Sequence, residues 1–438
     1  MVERKVFADS VVPLPDEPGL TPRGLMVQAA APPQLNDQMR VLFSLHIPAN
    51  AEAELEKRVA AGDVISPEEL QQKYAADPGD RKKLVSWLKG QHFDVTGVSP
   101  DGTSVYASAN AEQIAKSLDV DMVRVTKEGV TYTAAKNAPS LPADVGNSVQ
   151  AIIGLQPFHQ ARKHFRMCPQ DGDPVSLSAP APKAAPKGGR AARGTTRKAA
   201  ATPAIANKPP YLVAEILKAY GADGLTVTGT GQTIAILIDT VPNPADVKKF
   251  WTVNGLPASS PRVTTINVNG VALPPPSGEE SMDAEWSSGI ASGANIRIYA
   301  TGTLNFADIG RGLDAILTDL PKYPGMRQLS ISLGLGETYQ EGPGGSPDAY
   351  VRAQHQQFLK LAAAGVNVFV SSGDAGSNPD NTGHGATGPL QVEYESSDPY
   401  VIGVGGTSLQ LAPNGTVAAE TGWAAGGGGD SVLFPRPT

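Results

Sequence analysis

The sequence predicts an α/β protein in which a parallel sheet with flanking helices follows a smaller α+β unit. From Tyr211 onward, near-continuous apolar runs alternate with helical patterns, as strands buried on both faces require. Residues 40 to about 140 carry the order β-α-β-β-α-β, which suggests a ferredoxin-like sandwich. Between about Gln160 and Pro209 the composition turns to Ala, Pro, Gly and basic residues, which cannot bury a core. These shifts divide the chain into a first unit over 36–145, a linker over 146–208 that is basic in its later part, and a second unit over 209–438.

In the first unit, Val41–Ile47 reads as a strand. Ser66-Pro67-Glu68-Glu69 is a capping box with Pro at the first helical position, opening a helix through Tyr74. Asp80 is the expected cap of the next helix, which carries Leu84, Val85, Trp87 and Leu88. Pro100-Asp101-Gly102 turns between two strands, Asn110 caps a helix bearing Ile114 and Leu118, and Met122–Val125 closes the pattern as the fourth strand.

In the second unit, Thr233–Ile238, Ile296–Ala300, Leu329–Ser332 and Val366–Val370 read as strands. Ala245–Trp251, Ile309–Leu317 and Val351–Ala363 read as helices. Sheets of this kind place their chemistry beyond the carboxyl ends of the strands. Asp239, Ser332-Leu333-Gly334 and Ser371-Ser372-Gly373-Asp374-Ala375-Gly376 all fall there. The exposed backbone of Ser332-Leu333-Gly334 is suited to pairing with an extended peptide as an added strand.

Bulk composition excludes several function classes. The 438 residues are 40% hydrophobic and 18% charged, a globular composition. A formal net charge of -7 argues against a nucleic-acid binder. A nucleic-acid-binding tail is the alternative reading of the basic run, but it lacks interleaved aromatics. No run reaches the ~18 apolar residues of a membrane span, and Met1–Asp9 lacks the apolar core of a secretory signal. A single cysteine, Cys168, allows neither an intrachain disulfide nor a thiolate-rich metal site. His46, His92, His159, His164, His355 and His384 show no metal-ligand spacing and read as surface or packing residues.

The chemistry concentrates in Gly278-Glu279-Glu280-Ser281-Met282-Asp283-Ala284-Glu285-Trp286. Positions four apart share one helical face, so Glu279 and Asp283 can point at one place. In a cleft such a pair shares a proton, one member raised and the other lowered in pKa, which suits acid–base work. A solvated acidic first turn favoured by the helix dipole is the bland alternative, and Glu280 is the competing partner for Asp283 at i,i+3.

On these motifs the chain resembles the serine-carboxyl peptidases, the sedolisin family, which have a subtilisin-like fold. Residues 40–140 look like the family's pro-kumamolisin-like activation propeptide. The segment from Tyr211 looks like the N-terminal portion of its peptidase domain. Glu279, Asp283, Glu285 and Trp286 match its acidic helix. The resemblance implies that Glu279 is general base on a serine, that Asp283 orients and polarises it, and that Asp374 is the oxyanion aspartate. A carboxylate base, ordinarily near pKa 4.3, works where histidine would be protonated, so an acidic working range is expected.

The family's nucleophile lies downstream in a Gly-Thr-Ser-x-x-x-Pro segment. Gly406-Thr407-Ser408 matches its first three residues, but Leu409-Gln410-Leu411 lacks the small residues and proline that follow. Its setting, Tyr400–Ser408, matches a structural strand of the family. The chain is therefore expected to be an acid-acting endopeptidase precursor truncated before the catalytic serine, autoprocessed in the linker and held off by its own propeptide as an intramolecular inhibitor. Ca2+ is expected for the complete family domain, with no metal site in this chain. Polypeptide substrates, a monomeric state and an extracellular location without nucleic-acid or membrane partners complete the expectation. Two alternatives stand beside it. One is a catalytically dead homologue that binds or inhibits peptides; the other is an aspartic-type hydrolase that uses Glu279 and Asp283 directly on water.

Overall fold

The computed structural model describes residues 3–21, 24–164, 205–256 and 262–436. The first unit contains β1 (Met26–Ala29), β2 (Gln38–Leu45), α1 (Ala49–Ala60), α2 (Pro67–Lys73), α3 (Pro78–Gly90), β3 (Asp94–Val98) and β4 (Ser104–Asn110). It continues with α4 (Ala111–Leu118), β5 (Met122–Lys127), β6 (Val130–Ala135) and β7 (Val149–Ile153). Ser66 and Asn110 cap their helices by accepting from the amides of Glu69 and Gln113 at 3.1 and 2.8 Å. Asp77, not Asp80, caps α3, taking the amides of Gly79 and Asp80 at 2.8 and 3.0 Å. Pro78 occupies the first helical position, so the cap must precede it. Asp80 then lies inside the first turn, where the dipole favours its charge.

The ferredoxin-like order is present with a different closing strand. The antiparallel sheet runs β7-β2-β4-β3, so the place beside β2 belongs to Val149–Ile153, from the stretch read as linker. Met122–Val125, expected there, pairs instead with β1 and β6 in a second antiparallel sheet. Burial explains the exchange. In β7 nearly every side chain is buried, as a strand covered on both faces needs. In β5 buried and partly exposed positions alternate, which suits a sheet with one wet face.

The strand β8 (Arg162–Lys163) follows, and residues 165–204, which include most of the expected linker and Cys168, lie outside the described residues. The second unit contains β9 (Thr233–Ile238), α5 (Pro244–Val253), β10 (Val263–Asn267), α6 (Glu279–Ile290), β11 (Asn295–Ala300), α7 (Phe306–Asp319) and β12 (Met326–Ile331). Next come β13 (Leu333–Gly336), α8 (Ala349–Ala363), β14 (Asn367–Ser371), β15 (Glu393–Tyr394), β16 (Ile402–Val404), β17 (Thr407–Leu411) and β18 (Val417–Gly422). Six strands form one parallel sheet in the order β10-β11-β9-β12-β14-β16. The expected α/β class is therefore present.

The two units share a core. Leu42, Tyr106 and Ile153 pack in one apolar cluster with Leu313, Phe358 and Leu359 of α7 and α8. Asn305 and Asp348 cap these helices through the amides of Ala307 and Val351. Polar pairs cross the same seam. Arg40 meets Asp308, Tyr106 donates to Asp314 at 2.5 Å, and the Lys360 ammonium meets Asp101 and Thr103 in a buried cluster.

Candidate active site

The carboxyl ends of β9, β12 and β14 converge on one edge, and the residues that follow them are Asp239, Ser332 and Ser372-Gly373-Asp374. Opposite them stands the first turn of α6. Gly278 precedes that helix with φ 122°, a conformation that favours glycine and sets the direction of the first turn. Glu279 and Glu280 are both buried there, so the solvated-turn alternative is excluded.

Glu279 and Asp283 meet and share a hydrogen bond, as their spacing on the helix allows. Ser332 Oγ donates to Asp283 Oδ1 at 2.9 Å. Burial raises Glu279 well above the ordinary carboxyl range, and the charges of Asp283 and Asp374 add to the rise. Burial also raises Asp283, but less, because Ser332 and Glu279 donate to it. Burial thus holds both carboxyls of the pair above their ordinary range. Glu279 Oε2 and Asp283 Oδ2 are buried without hydrogen-bond partners among the described residues.

Glu280 does not join this pair. Its Oε1 accepts the amides of Ser277 and Gly278, both at 2.8 Å, and its Oε2 faces Lys163 Nζ at 3.4 Å. Burial works to raise Glu280, but the backbone donors and Lys163 outweigh it and hold the carboxyl below its ordinary value. Asp239 also faces Lys163, at 2.8 Å. Ser408 lies in the exposed β17–β18 hairpin, outside the parallel sheet. The expected strand Tyr400–Ser408 is divided, since Ile402–Val404 joins the sheet and Thr407 begins the hairpin.

The edge Ser332-Leu333-Gly334 carries a strand, and that strand comes from the chain itself. β8 pairs antiparallel with β13, Arg162 opposite Gly334 and Lys163 opposite Leu333. His164 N extends the ladder by donating to Ser332 O at 3.0 Å. Successive side chains of an extended strand point to opposite sides. Lys163 enters the carboxylate pocket beside α6, and His164 turns toward β15. There its Nε2 meets Glu393 Oε2 at 2.8 Å and its Nδ1 meets Ser371 Oγ at 2.8 Å. Burial lowers the histidine pKa, but the hydrogen bond and charge of Glu393 outweigh it and hold His164 above its ordinary value.

Lys163, His164 and Glu393 were not legible as site residues. The basic cluster Arg162-Lys163-His164 between an apolar strand and the low-complexity run was the available signal; Val392-Glu393-Tyr394 offered none. Among the described residues no group of three or more His, Cys, Asp or Glu is arranged to hold a metal ion.

Residues 28–158 match the family model described as pro-kumamolisin, activation domain. Kumamolisin from Bacillus sp. (strain MN-32) is 28% identical over 354 residues, covering 77% of this chain and 56% of that protein. Sedolisin from Pseudomonas sp. (strain 101) is 23% identical over 391 residues, covering 86% of this chain and 61% of that protein. The chain thus spans a little over half the length of these curated relatives. A solved structure of Pseudomonas sedolisin, a serine-carboxyl proteinase complexed with two molecules of pseudo-iodotyrostatin, superposes with a TM-score of 0.44 at 24% identity, covering 52% of this chain and 64% of that one. The chain is thus similar to the sedolisin-type serine-carboxyl peptidases over most of its length, and its residues 28–158 match the pro-kumamolisin activation domain.

Proposed function

We propose that this protein is the precursor of an acid-acting serine-type endopeptidase held inactive by its own N-terminal segment. The observation that carries the reading is the strand Arg162–His164 laid on Ser332–Gly334, directly beside Glu279 and Asp283. An extended peptide added to a sheet edge gains backbone hydrogen bonds, and alternate pockets then read its side chains. The same edge accepts a substrate once β8 leaves. In the active form Glu279 takes the proton of a serine hydroxyl as the oxygen attacks the peptide carbonyl, and Asp283 orients Glu279 through their shared hydrogen bond. Asp374, in its protonated form, donates to the developing oxyanion. A hydroxyl donating to Glu279 Oε2 favours the ionised carboxylate and so lowers its pKa toward an acidic working range.

The activation unit extends through β7, a linker follows, and the peptidase part begins near residue 209. Cleavage falls within the linker, the product acts on polypeptides outside the cell as a monomer, and the complete domain binds Ca2+. No helix among the described residues is long and apolar enough to cross a membrane.

The test is incubation of the full-length gene product at about pH 4, followed by mass spectrometry and a fluorogenic peptide assay. A fragment beginning between residues 180 and 210, with peptide turnover reduced ~10²- to 10⁴-fold by Glu279→Gln, is the expected result. Peptide binding without turnover in the wild type defeats the peptidase reading and leaves a peptide-holding protein.

A further inference from the structure

The ammonium of Lys163 occupies a pocket that its own segment does not build. Its Nζ lies 2.8 Å from Asp239 Oδ1, 2.7 Å from Ser277 Oγ and 3.4 Å from Glu280 Oε2. These acceptors come from the end of β9 and the entry to α6, both in the second unit. A lysine ammonium has three donors and no acceptor, and the pocket offers it three oxygens. The Lys163 side chain keeps 10% of its exposure and that of Glu280 keeps none. A buried carboxylate without a cation loses its compensation and is costly. Glu280 Oε1 is already held by two backbone amides, so only Oε2 is left to face a ligand.

We infer that Asp239, Glu280 and Ser277 form a specificity subsite that selects a basic side chain in a peptide lying along Leu333–Gly334, at the residue facing Leu333. The inference rests on the peptide-edge reading proposed above and adds the chemistry of one position. Lysine satisfies the pocket and arginine brings the same charge. An uncharged isostere such as norleucine or methionine leaves the two carboxylates without a countercharge. Geometry also fixes which residue is read. Arg162 and His164 point to the other side of the strand, and Arg162 meets Glu128 of the first unit at 2.8 Å.

The chain's own segment serves as the ligand for the test. Hydrogen exchange by mass spectrometry on the full chain compares wild type with Lys163→Arg and Lys163→Met, reading residues 160–164 and 332–336. Lys163→Met is expected to exchange about tenfold faster in both segments, and Lys163→Arg to stay near wild type. In an Asp239→Asn/Glu280→Gln background, lysine and methionine at this position are expected to exchange alike. Equal protection of Lys163→Met and wild type overturns the proposal. So does a difference that survives in the background lacking both carboxylates. If that background fails to fold, the Lys163 series decides alone, because it leaves the second unit untouched. The exchange readout needs no turnover, so a chain that cleaves nothing defeats the peptidase reading without touching the pocket. An active enzyme that cleaves lysine- and norleucine-containing peptides equally well at this position overturns the pocket alone.

Discussion

Ser332 binds Asp283 with its side chain and His164 with its backbone: Oγ donates to Asp283 Oδ1 at 2.9 Å, and the carbonyl accepts His164 N at 3.0 Å. One residue at the end of β12 therefore connects the carboxyl pair to whatever strand lies on the edge. Removing the hydroxyl leaves Asp283 with a buried oxygen unsatisfied, which costs ~1–3 kcal/mol. Ser332→Ala is expected to lower stability by that order in urea unfolding. Asp283 should also titrate higher, because a donor to its ionised form is gone. An unchanged titration curve would remove Ser332 from the network.

The buried acids give the fold a sign of pH dependence. Burial pushes Asp348 and Glu395 up to about 7, and burial with the charge of Asp246 pushes Glu285 to about 7. An acid raised in the folded state binds its proton more tightly there. Its contribution is full below the unfolded value near 4 and is lost as pH rises toward 7. His164 and His355 act in the same direction. Despite burial, Glu393 and Asp398 hold them above their ordinary value, so their contributions also vanish as pH rises. Asp101 opposes at the acid end. Burial raises it, but Lys360 outweighs burial and holds it low, so its contribution disappears as pH falls through that lowered value. Thermal melts are expected to peak at about pH 5 and to fall by pH 8. Asp348 alone accounts for a loss on the order of 4 kcal/mol, at ~1.4 kcal/mol per unit. A melting temperature that rises from pH 5 to pH 8 would contradict this balance.

The helix period made Glu279 and Asp283 legible, because i,i+4 spacing fixes a shared face without knowledge of the rest of the chain. The apolar runs fixed the parallel strands for the same reason, with Thr233–Ile238 appearing at its predicted bounds. What escaped depends on contacts between distant segments. Val149–Ile153 replaced Met122–Val125 beside β2 because helix α8 covers it, and no local pattern announces that cover. Lys163 and Glu280 are 117 residues apart, and their ion pair exists only because a strand from one unit lies on the edge of the other. Glu280 competed with Glu279 in sequence, and backbone capping separated them, since the amides of Ser277 and Gly278 drew Glu280 away.

Gly334 gives a test of whether the edge must stay open. A Cβ there would lie 2.6 Å from His164 Cε1 and 2.8 Å from Tyr394 O, and the backbone oxygen cannot swing aside. Gly334→Ala is expected to displace residues 162–164 while the parallel sheet persists. Limited proteolysis should then cut after Arg162 or Lys163 at least tenfold faster than in wild type, with each tenfold corresponding to ~1.4 kcal/mol of lost segment protection. Unchanged protection would mean that β13 shifts to accept the methyl group without releasing the strand.

The buried pair of Lys360 and Asp101 tests how the two units hold together. Lys360 projects from α8, and Asp101 sits in the β3–β4 turn of the first unit, where Ser99 Oγ at 2.5 Å and Thr103 Oγ1 at 3.0 Å complete its shell. Removing only the cation leaves a buried carboxylate with neutral donors, a change that typically costs 3–5 kcal/mol. Lys360→Met is therefore expected to loosen the first unit from the second by that order, read as faster exchange at both faces of the seam. Adding Asp101→Asn should recover most of the loss, since the amide no longer requires a countercharge. If the double variant is as weak as Lys360→Met alone, shape at the seam rather than charge pairing governs the attachment.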